Sequence, residues 1–96
     1  MIDVKQAVIA AYNFAVEIYK AQAQNLPNLA LEEVELSENE HTWFVTLGFD
    51  RPMTGIYSNL ALAAGANVRS YKIFEVDAET GSVKSMKIRE VERPQK

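Results

Sequence analysis

The chain has 96 residues, 48% of them hydrophobic and 24% charged, with a formal net charge of −3. That is the length of a single domain, read here as residues 1–96, with a modest core and the composition of an ordinary globular protein. The acidic balance excludes broad contact with nucleic-acid phosphates, and the lack of cysteine excludes disulfides and thiolate chemistry, which fits a reducing compartment.

The opening stretch, MIDVKQAVIAAYNFAVEIYK, has neither the basic start nor the unbroken apolar run of a signal peptide. No segment approaches the roughly 18 to 20 apolar residues that span a bilayer. The expected location is therefore cytoplasmic, with no membrane partner. Asp3 and Gln6 have the spacing of a capping box. Val4, Val8, Ala11, Ala15 and Ile18 then recur at helical spacing, and Ile9, Tyr12, Val16 and Tyr19 widen the stripe. Lys5, Asn13, Glu17 and Lys20 are left for solvent. Asn25 and Pro27 close the segment, because the residue before a proline disfavours the helical region. The spacing predicts a helix over about residues 3–24.

LALEEVELS, residues 29–37, places Leu29 and Leu31 on one parity and Val34 and Leu36 on the other. A strand buries one set only, so a bulge is expected near Glu32 and Glu33. SENEH is a polar turn. In TWFVTLGFD, Trp43, Val45, Leu47 and Phe49 alternate with Phe44, Thr46, Gly48 and Asp50, the strongest strand pattern in the chain. Residues 51–68 carry Pro52, Gly55 and Gly65 and read as a long connection between strands. YKIFEVDAETGSVKSMKI, residues 71–88, reads as a hairpin: Asp77 bonds the backbone two residues on, and Gly81 supplies a positive φ.

One helix followed by four strands with short turns predicts an antiparallel meander with the helix across one face, an α+β layer arrangement. The final fifteen residues of that hairpin, with Asp77, Thr80, Gly81 and Val83, resemble the PepSY and cystatin-like group of small domains. The resemblance implies an N-terminal helix packed on a curved four-stranded antiparallel sheet. It covers about twenty residues closely and the rest in element order. The inhibitory Q-x-V-x-G loop of cystatins is not present, so the fold is carried over and protease inhibition is not.

His41 is the only histidine and sits in a polar turn beside Glu38 and Glu40, without the further ligands or the pocket that metal binding or acid–base work needs. None of the serines has a G-x-S-x-G or S-x-x-K setting, and no phosphate-binding glycine loop occurs. The chain reads as a non-enzyme without cofactor or metal. Glu32, Glu33, Glu35, Glu38 and Glu40 cluster on the first strand and its turn, and Lys84, Lys87, Arg89 and Arg93 on the last strand and tail. Exposed, these are solvated surfaces.

If Trp43, Val45, Leu47 and Phe49 face the helix, Phe44 faces away. Residues 51–68 add Met53, Ile56, Tyr57, Leu60 and Leu62, apolar anchors in a glycine-bearing loop. These six residues are the candidate binding site. The function that follows is a small non-catalytic protein-binding module, an inhibitor, adaptor or immunity-type protein. The alternative is a homo-oligomeric domain, a homodimer, holding a small ligand between helix and sheet.

Overall fold

The computed structural model describes residues 1–52 and 67–89. It contains one helix, α1 (Val4–Ala21), and four strands, β1 (Ala30–Leu36), β2 (Thr42–Pro52), β3 (Asn67–Asp77) and β4 (Val83–Ile88). The strands form one antiparallel sheet in the order β1-β2-β3-β4, with α1 across one face. This is the expected α+β meander.

The helix starts where the capping box places it. The Asp3 carboxylate accepts the Gln6 N–H, and the Gln6 side chain accepts the Asp3 N–H, each at 2.9 Å. It stops at Ala21, three residues before the stop expected from Asn25 and Pro27. The Ala23 N–H bonds the Lys20 carbonyl and the Gln24 N–H the Tyr19 carbonyl, with Ala23 at φ 56°. That is a Schellman ending with alanine where glycine usually stands. The chain turns back through a local motif before the proline can act.

The face against the sheet is centred on Ala11 and Ala15 of the expected stripe, with Ala7 added to them. Ala7, Ala11 and Ala15 are the buried residues, one helical turn apart, and Val8, Ala10 and Phe14 pack beside them. Val4, Ile9, Tyr12 and Val16 stay exposed. Small side chains let the helix axis approach the sheet closely, so the alanine row wins the central contact.

In β1 the register slips between Leu31 and Glu33, the bulge expected there. It brings Val34 and Leu36 to the same side as Leu31. Val45, Leu47, Phe49, Phe74 and Val76 form the sheet side of the core, and Phe14 meets Phe74 edge-on at 6.2 Å. β2 and β3 run further than the sequence pattern suggests. Arg51 pairs with Val68 and Pro52 with Asn67, so four residues of the expected connection are strand. Pro52 holds the last position of its strand, where a missing N–H is tolerated.

The β3–β4 turn forms as expected. The Asp77 carboxylate accepts the N–H groups of Glu79 at 2.8 Å and Thr80 at 3.0 Å, and Gly81 has φ 81°. The Thr80 N–H bond, then that of Glu79, holds the Asp77 carboxyl below its ordinary value. A lowered folded-state pKa means stabilisation that is complete above the unfolded value of about 3.9 and is lost as pH falls through the folded one. Wild type should therefore lose stability relative to Asp77→Ala as pH falls below about 4 and through the lowered folded value. Urea melts at stepped pH check this, and a constant gap between the two proteins would refute it.

Candidate functional site

The sheet presents two unlike faces. Away from the helix, Phe44 and Thr46 of β2 lie beside Glu33 and Glu35 of β1 and Ile73 of β3, around a hollow of about 280 Å³ that Arg89 also lines. Phe44 does point away from the helix, as its parity requires, and is half-buried. Met53, Ile56, Tyr57, Leu60 and Leu62 lie outside the described residues, so Phe44 is the one candidate residue that takes a place in this geometry.

Charge dominates that face. The Arg89 guanidinium donates to Glu33 and to Thr46 Oγ1, joining the chain just past β4 to β1. Arg69 donates to Glu32 at 2.7 Å, to Asp50 at 3.1 Å and to the Asn28 carbonyl at 2.8 Å. Asn28 in turn donates to Asp50 at 2.6 Å. The bonds from Asn28 and Arg69 hold the Asp50 carboxyl below its ordinary range, and the bond to Glu32 raises Arg69. Gly48 leaves room for this network, since a Cβ there would stand 2.7 Å from Glu32 Oε2. Lys87 lies 3.8 Å from Glu75, and Lys84 donates to Thr42 Oγ1. The acidic and basic clusters of the sequence are thus partly bridged to each other. Such a face suits water.

The helix side is different. Four strands about 4.8 Å apart make a sheet about 19 Å wide, and a helix about 10 Å across covers half of it. α1 lies over β2 and β3 and reaches the edge strands at its margins, and along its β1 flank the surface is largely apolar. Val4, Val8 and Ile9 of α1 face Leu31 and Val34 of β1 across a hollow of about 370 Å³, with Lys5 at its rim. Further along, Tyr12 and Val16 face Leu26 and Leu29 across one of about 360 Å³, which Lys20, Gln24 and Asn25 also line. The two make a trough running beside the helix. Ile9 is 57% exposed, Tyr12 43%, Val16 39% and Leu31 46%. At the helix end, Tyr19 packs edge-on to Phe49 at 5.4 Å, and burial raises its hydroxyl pKa against the opposing pull of Arg51.

These trough residues are absent from the six candidates named by sequence reasoning. A signal is present in the sequence: Lys5, Asn13, Glu17 and Lys20 leave a wide apolar arc over the rest of the helix. Of the residues that widen the stripe, Ile9, Tyr12 and Val16 are exposed, while Tyr19 is half-buried against Phe49.

Polar chemistry is sparse. His41 is exposed; its backbone N–H donates to Asn39 Oδ1 and its carbonyl accepts from the Ala78 N–H. Among the described residues no three His, Asp or Glu side chains gather to hold a metal, and no helix is long and apolar enough to cross a membrane. Family models, curated proteins and solved structures yield no match to this chain.

Proposed function

We propose that the chain is a small non-catalytic protein-binding module, of the inhibitor, adaptor or immunity kind, acting through surface complementarity in a reducing compartment such as the cytoplasm. The observation that carries this reading is the trough beside α1: two successive hollows, one lined by Ile9, Leu31 and Val34 and the next by Tyr12, Val16, Leu26 and Leu29, leave apolar side chains in contact with water. Contiguous apolar surface of this kind marks interaction sites. The partner lays an apolar segment along the helix flank, and the charged opposite face stays in solvent. The helix-then-meander order supports a place beside the PepSY and cystatin-like domains as a fold, without the cystatin inhibitory loop.

A second reading, an apolar small molecule seated between helix and sheet, is favoured by the hollow formed by Val4, Val8, Ile9, Leu31 and Val34.

The test is a photoreactive phenylalanine analogue placed at Tyr12 and, separately, at exposed Glu79, with irradiation in living cells. A discrete protein adduct from position 12 and none from position 79 is the expected result. Equal, diffuse labelling at both positions overturns the protein-binding reading. A small molecule bound to the purified wild type in native mass spectrometry, and lost in Ile9→Asp, would favour the second reading instead.

A further inference from the structure

We propose that the occupant of the trough is a short extended segment of a partner protein, apolar at two positions and carrying a carboxylate at either end. This rests on the trough being a protein-binding surface and names the chemistry that binds there.

The charges around the trough are of one sign. Each hollow is lined by one lysine, Lys5 in the first and Lys20 in the second, and by no carboxylate among the described residues. Both lysines are exposed, and neither is in an ion pair with a described carboxylate. The chain as a whole has 13 acidic and 10 basic residues, so this flank is an exception. The exception has a structural cause. The carboxylates of β1 serve the opposite face, where Arg69 donates to Glu32, Arg89 donates to Glu33, and Glu35 lines the other hollow. On the helix, Glu17 follows Val16 and is turned about 100° from it. What remains beside the trough is a lysine at each end and apolar side chains between.

Spacing then defines the ligand. Lys5, Ile9, Tyr12, Val16 and Lys20 follow one another at four, three, four and four residues, which makes them one ridge along the helix. At the helical rise, Lys5 and Lys20 stand about 22 Å apart, and the helix residues of the two hollows are centred about 14 Å apart. An extended chain advances about 3.4 Å per residue, so two side chains four positions apart reach both hollows from the same side. Seven such residues span about 20 Å, which brings an acid just outside each apolar position within reach of a lysine. The pattern is acid, apolar, three residues of any kind, apolar, acid.

An extended segment suits this surface better than a helix does. α1 is seated over β2 and β3 and leaves no second helix place on the sheet. A segment anchored by two side chains keeps its own N–H and C=O groups in water, where they need no partner from the apolar walls. The apolar anchors supply affinity. Exposed lysines add little to it and instead select the partner by charge.

Two fluorescein-labelled seven-residue peptides test this by anisotropy titration. Both carry leucine at the second position, phenylalanine at the sixth and serine between them; one ends in glutamates and the other in lysines. Wild type should bind the glutamate peptide about tenfold more tightly, with a preference that shrinks as salt rises from about 50 to 500 mM. Lys5→Glu and Lys20→Glu should each weaken that binding about fivefold, and the double variant should prefer the lysine peptide. Circular dichroism melts confirm that each variant keeps the fold. No binding of the glutamate peptide at about 1 mM overturns the proposal. So does equal binding of the two peptides, or a preference unchanged in the double variant. In any of these cases a protein adduct from position 12 would leave the trough standing as a binding site and remove only the acidic segment, while loss of the adduct as well would remove both.

Discussion

Replacing Phe74 with alanine should lower the unfolding free energy by about 3–5 kcal/mol, the cost of removing a large aromatic side chain from a packed interior. The ring is 1% exposed, sits opposite Val45 on one neighbour and Met86 on the other, and meets Phe14 edge-on. Among the described residues it is the largest of the fully buried side chains. A chain of 96 residues has about 5–14 kcal/mol of stability in total, so the variant forfeits a large part of it. Urea melts at fixed protein concentration measure the difference. A loss below about 1 kcal/mol would mean that the ring is not enclosed as described.

The second large effect runs the other way, through excess volume. Ala11 is fully buried at the centre of the row that Ala7 and Ala15 complete. Ala11→Leu drives a branched side chain into the closest approach of helix and sheet, where Val45, Leu47 and Phe74 already fill the space. Overpacking of this sort costs about 1–3 kcal/mol, and a small domain loses roughly 4–8 °C in Tm per kcal/mol. Ala21→Leu, at an exposed position in the last turn, serves as the control and should leave the Tm within a degree or two of wild type on the ordinary scale for surface changes. Equal melting of the two variants would place the helix further from the sheet than the alanine row implies. Because the helix forms one wall of the trough, Ala11→Leu should also disturb whatever binds there.

Much of this architecture was legible in the residues because the signals were local. Asp3 with Gln6 marked the helix start, the switch of parity between Leu31 and Val34 marked the bulge, and Asp77 with Gly81 marked the hairpin turn. Trp43, Val45, Leu47 and Phe49 assigned the inner side of β2 correctly, and Phe44 with it. What the residues did not reveal depended on distance between elements. Periodicity shows that a helix has an apolar arc and leaves open which part of the arc meets the sheet. That choice fell to Ala7, Ala11 and Ala15 because they are small, a matter of packing depth. The candidate site suffered from the same limit. Ile9, Tyr12 and Val16 look like core until the width of one helix is set against the width of four strands.

The seating of the chain start has an optical consequence. The Ile2 N–H bonds the Ala78 carbonyl at 2.7 Å, and the indole N–H of Trp43 donates to the Ile2 carbonyl at 3.3 Å. Trp43 is the only tryptophan in the chain. Its emission colour therefore reports a single place, the junction where the segment leading into the helix is fastened to the sheet. When that fastening opens, water reaches the indole and the fluorescence shifts to the red. The molecule carries its own gauge of whether the helix is docked.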